Sequence, residues 1–67
     1  MLGNDHPDTL TTANNLAVDR HALRDYQQAR TLNEDTLARR RRVLGNDHPD
    51  TLTSADNLAG DLRALGE

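Results

Sequence analysis

The 67-residue chain has no cysteine, no tryptophan and no phenylalanine, and Tyr26 is its one aromatic residue. Without cysteine, neither a disulfide nor a thiolate metal site can staple a small fold. Without large aromatics, Leu and Ala must fill whatever core forms. A chain of this size buries only about 60% of its unfolded surface and is marginal alone. No apolar run approaches the ~18 residues of a membrane span, and no leader-peptide pattern opens the chain. The expectation is a soluble, cytoplasmic protein that does not enter a membrane.

The net charge of −3 hides an alternation along the chain. Residues 1–25 carry −2, residues 26–42 carry +3 and residues 43–67 carry −4. Alternating segments favour neighbours packing in order and can bias association. They say little about an outside partner of one sign.

What the chain does have is a repeat. The run from Leu2 to Thr11 returns unchanged from Leu44 to Thr53, and residues 1–25 match residues 43–67 at 17 of 25 positions. A fixed period of 20–50 residues marks one supersecondary unit stacked on its neighbours. Residues 1–42 make one complete unit and residues 43–67 the first helix of a second. The chain is therefore expected to be a fragment of a longer array, with Met1 standing where the next copy has Val43.

Hydrophobic periodicity predicts an all-α protein, a helix-turn-helix repeat of three antiparallel helices at about 7–23, 25–43 and 49–65. Leu10, Ala13, Leu16, Ala17 and Leu23 recur at three- and four-residue steps and are expected to face inward. Tyr26, Ala29, Leu32, Thr36, Leu37, Val43 and Leu44 should form the stripe of the second helix. Leu52, Ala55, Leu58, Ala59, Leu62 and Leu65 should form that of the third. Pro7 and Pro49 suit the first helical position. Asp8 and Thr9 are placed to meet the open N–H groups of the first turn. Asp25 is read as an N-cap, Gly45 as a positive-φ stop, and Gly66 as the end of the last helix. A helical hairpin cannot cover its own apolar stripe, so the third helix must close the open side of the first two.

The Gly-Asn-Asp-His-Pro-Asp-Thr-Leu run, followed by Asn-Asn-Leu-Ala and Tyr-Gln-Gln-Ala, resembles the tetratricopeptide repeat in its 42-residue, kinesin-light-chain-like form. The Arg-rich close from Leu37 to Gly45 looks like the versions found in large actinobacterial regulatory proteins. The resemblance maps the helix A signature onto Leu16-Ala17 and Leu58-Ala59. It maps the turn glycine onto Arg24 and Gly66, the following aromatic onto Tyr26 and the small residue of helix B onto Ala29. Four positions depart from the pattern. Arg24 replaces the glycine, Arg20 stands where the second copy has inward Leu62, Asn33 replaces an aromatic and Thr36 a small apolar residue. These departures predict a loosely packed first hairpin.

The resemblance implies a right-handed superhelix whose concave face, lined by the A helices, binds peptide segments of other proteins. The matching positions are Thr11, Asn14, Val18, His21 and Ala22, then Thr53, Asp56, Gly60, Arg63 and Ala64. Asn15 and Asn57 are further candidates. Side-chain amides suit such a groove, because an extended ligand offers N–H and C=O groups and Asn both donates and accepts.

Other motifs read as structure. His6-Pro7-Asp8 and His48-Pro49-Asp50 match the tripeptide of J-domain co-chaperones, but here they open a helix in each copy. Asp5, His6 and Asp8, with Asp47, His48 and Asp50, are legitimate metal-ligand types, yet two clusters one repeat apart do not converge, so no metal is expected. Arg39–Arg42 point around the whole circumference of a helix and form no stripe for phosphates. With no stacking aromatics and a negative net charge, nucleic acid is not the expected partner. Asp35 lies four residues before Arg39, a pair worth a few tenths of a kcal/mol. No nucleophile, base and orienting residue are spaced as a set and there is no glycine-rich phosphate loop, so neither catalysis nor a cofactor is expected. The leading expectation is a module that binds protein or peptide. The alternative is a self-assembly element that stacks or exchanges helices into homo-oligomers through its uncovered edges.

Overall fold

Both outer helices begin at a His-Pro-Asp sequence, and the same chemistry starts each. In the computed structural model, which describes residues 6–66, α1 spans Pro7–Ala22, α2 spans Tyr26–Leu44 and α3 spans Pro49–Ala64. Proline occupies the first turn of α1 and α3, where its missing N–H costs nothing. The cap is the histidine before it. His6 Nδ1 accepts from the Asp8 N–H at 3.1 Å and His48 Nδ1 from the Asp50 N–H at 3.0 Å. Sequence reasoning had given the capping oxygens to Asp8 and Thr9; the imidazole takes that role because its ring nitrogen reaches the N–H two residues ahead. Asp25 caps α2 as expected, accepting from the Gln28 N–H at 3.3 Å. The readings of Met1 and Asp5 lie outside the described residues.

The α1–α2 turn is closed by backbone. The Arg24 N–H donates to the His21 carbonyl at 2.9 Å and the Asp25 N–H to the Arg20 carbonyl at 2.8 Å. This pair of bonds needs a left-handed residue between them. That residue is Arg24, with φ 65°, and its copy one repeat later, Gly66, has φ 84°. Gly45 ends α2 with φ 92°, its N–H on the Arg41 carbonyl.

α2 lies between α1 and α3 and packs against both along its length, while α1 and α3 touch only sparingly. The pairing is antiparallel. Arg40, late in α2, bonds Ser54, early in α3, and Asn33, earlier in α2, bonds Asp61, late in α3. Among described residues the buried apolar core is Leu10, Ala17, Ala29 and Leu37. Six polar residues are buried with it: Asn33, Thr36, Arg40, Thr51, Ser54 and Asp61.

Although α1 and α3 are near-copies, they meet α2 with different faces. α1 buries Leu10 and Ala17, whose copies Leu52 and Ala59 are exposed on α3. α3 buries Thr51, Ser54 and Asp61, while their copies are half-buried Thr9 and exposed Thr12 and Asp19 on α1. This corrects part of the expected inward stripe. Leu16 is 42% exposed, Leu23 72% and Leu52 53%, and Val43 and Ala59 are exposed too. The stripe of a stacked helix is wide enough for two neighbours, and each outer helix has only one within this chain. The hydroxyls of Thr36 and Thr51 are buried without a partner.

Candidate functional site

Between α1 and α3, over the middle of α2, the helices leave a groove of about 190 Å³. α1 contributes Ala17, Val18 and His21, and α2 contributes Asn33. α3 contributes Asp56, Asn57, Gly60 and Asp61.

The floor is built around one buried carboxylate. Asp61 is 1% exposed and accepts from partners on both other helices. Asn33 Nδ2 donates to its Oδ2, and His21 Nδ1–H donates to its Oδ1 at 2.7 Å. With Nδ1 holding the proton toward the carboxylate, the imidazole is oriented, and Tyr26 packs edge-on against it with ring centroids 4.9 Å apart. A buried charge is tolerable only when paired and hydrogen-bonded. Asp61 meets that condition by tying the three helices together. Asn33 is equally buried, yet its Oδ1 has no hydrogen-bond partner.

One flank of the groove is an amide pair. Asn57 Nδ2 donates to Asn14 Oδ1 at 2.9 Å across α1 and α3. The other asymmetry is at Gly60, whose copy one repeat earlier is Val18. The nearest atom to a Cβ built on Gly60 is His21 Cε1 at 4.0 Å, so the bare backbone leaves room rather than avoiding a clash.

Of the residues singled out from sequence, Val18, His21, Asp56, Asn57 and Gly60 line this one groove, and Asn14 joins it through Asn57. Thr11, Asn15, Ala22, Thr53, Arg63 and Ala64 are exposed and do not line it. Thr53 Oγ1 donates to the Pro49 carbonyl four residues back in its own helix. Sequence reasoning missed Asn33 and Asp61. The repeat carries no signal for Asp61, because its identical copy Asp19 is exposed on α1. Asn33 had been noted only as an ill-fitting replacement for an aromatic.

The arginine run resolves into distinct roles. Arg40 is buried, its Nη1 donating to the Asp50 carbonyl at 3.0 Å and to Ser54 Oγ at 2.8 Å. Arg39 pairs with Asp35 at 2.9 Å, the four-residue pair expected from sequence. Arg30 pairs likewise with Glu34. Among the described residues, no three His, Cys, Asp or Glu side chains gather as metal ligands. No described helix is long and apolar enough to cross a membrane.

A family model described as tetratricopeptide repeat matches residues 8–67. No curated protein and no solved structure matches the chain.

Proposed function

The chain belongs to the tetratricopeptide repeat family, a family of protein-interaction modules, and on that premise we propose that it binds peptide or protein segments in the groove between α1 and α3. The observation that carries this reading is the groove itself. Two near-identical helices present an imidazole, amides and carboxylates toward one another, with an apolar wall at Ala17 and Val18. Such a surface offers an extended segment both polar partners and a place for a side chain. We read residues 1–42 as one repeat and residues 43–67 as the first helix of the next. The 42-residue period and the His-Pro-Asp-Thr-Leu run support the kinesin-light-chain-like form.

The test is a screen of the chain against a random peptide library, with hits re-measured on variants. Gly60→Val, which puts a side chain into the groove, and Asn57→Ala should weaken a hit by about tenfold or more, while Ala38→Glu on an exposed part of α2 should not. Hits indifferent to the groove variants would refute the assignment.

A second reading is self-assembly, favoured by the exposed Leu16 and Leu23 on α1 and Leu52 on α3. Exposed apolar faces of this kind mark association sites. The chain is expected to form homo-oligomers at millimolar concentration, and Leu16→Glu with Leu52→Glu should return it to monomer. Sedimentation of a strict monomer at that concentration would sink this reading.

A further inference from the structure

Acceptors outnumber donors in the uncommitted hydrogen-bonding capacity of the groove. Asn33 Oδ1 is an acceptor, buried and without a donor. Each oxygen of Asp61 takes one hydrogen bond and can take another. Asp56 adds an exposed carboxylate at the rim. On the donor side, Asn57 Nδ2 is engaged by Asn14 and His21 Nδ1 by Asp61. Beyond the second N–H of each amide the spare capacity is acceptors, and no Lys or Arg side chain lines the groove.

We propose that this groove takes a positively charged side chain, arginine in preference to lysine, from a bound protein segment. The inference rests on the peptide-binding reading above and adds the ligand's chemistry to it. A guanidinium carries five N–H donors and no acceptor, in a planar fork that can meet two neighbouring acceptors at once. Asn33 and Asp61 both line the floor of the groove, and Asp56 adds a second carboxylate at its rim. An ammonium offers three donors from a single point and satisfies the pair less well. The methylene stem lies along Ala17, Val18 and the bare Gly60 backbone, apolar surface of the kind that long cationic side chains cover. An acidic side chain would meet Asp56 and Asp61 and is disfavoured. The first repeat's residue at the Gly60 position, Val18, would fill the space the stem needs.

The experiment is a titration of the full ¹⁵N-labelled chain, followed by amide chemical shifts. The probes are capped alanine-based heptapeptides with a central Arg, Lys, citrulline or Glu. The Arg peptide is expected to shift the amides of Val18, His21 and Gly60 and the side-chain amide of Asn33. Lys should bind several-fold more weakly, citrulline at least tenfold more weakly, and Glu should leave these signals in place. Gly60→Val should abolish the Arg response while keeping the helical spectrum, because valine is a better helix former than glycine. Asp56→Asn, an exposed change, should weaken it several-fold. If citrulline or Glu binds the same residues as well as Arg, the charge inference falls and the peptide groove stands. If no peptide shifts these residues, or if the Arg peptide shifts only exposed α2 positions, both fall. A folded Gly60→Val chain with undiminished Arg binding overturns the proposal by itself.

Discussion

Replacing Arg24 with glycine should make the protein more stable, although it deletes a whole side chain. Arg24 sits at φ 65°, between the two backbone bonds that close the α1–α2 turn. A residue with a Cβ pays about 1–2 kcal/mol in this left-handed region. Glycine escapes that strain but brings a more disordered unfolded chain, which takes back about 0.5–1 kcal/mol. The net gain is about 0.5–1 kcal/mol. In a domain of this size each kcal/mol moves the melting temperature by about 4–8 °C, so Arg24→Gly should melt roughly 2–8 °C higher. The assay is thermal unfolding followed by circular dichroism at the helix band. Arg24→Ala is the control. It removes the exposed guanidinium, keeps the strained Cβ and should stay within about 0.5 kcal/mol of the parent. A glycine variant melting at or below the parent would refute the reasoning. So would an alanine variant that gains as much as glycine, since charge rather than strain would then be the cause.

The other predictions follow from single contacts. His48→Ala should cost about 1 kcal/mol by removing the cap of α3, while His48→Asn should keep most of it; equal losses in urea titrations would deny histidine the capping role. Thr36→Val should stabilise by about 1 kcal/mol, because it replaces a buried hydroxyl that has no partner; a lower melting point would mean the hydroxyl is bonded after all. Asn33→Leu alone should cost about 1.5–3 kcal/mol by stripping a hydrogen bond from a buried carboxylate, and adding Asp61→Leu should restore most of the loss. Strictly additive losses in that double-mutant cycle would show that the two side chains do not act together.

Much of the fold is legible in the sequence because helix ends have local causes. Pro7, Pro49, Asp25 and Gly45 mark boundaries to within a residue of where they fall. The turn position was also legible, since aligning the copies puts Arg24 opposite Gly66, and both adopt positive φ. What was illegible concerns neighbours. Periodicity identifies a stripe on a helix without saying how many helices will cover it. Leu16, Leu23 and Leu52 were therefore read as inward and are exposed here. The same limit hid the groove floor. A count of apolar positions passes over Asn33 and Asp61, polar residues that meet each other across 28 positions of chain, with Asp61 held by His21 as well. The capping role of His6 and His48 escaped for a different reason, because oxygen side chains are the usual caps and imidazole is an uncommon one.

The account's central claim is that a bound segment lies between α1 and α3. Intermolecular nuclear Overhauser effects from the tightest-binding peptide of the library screen test it most directly. The account predicts contacts from the peptide to the Val18 methyl groups and the Gly60 α-protons. Contacts confined to Thr31 and Ala38, exposed on α2, would contradict it.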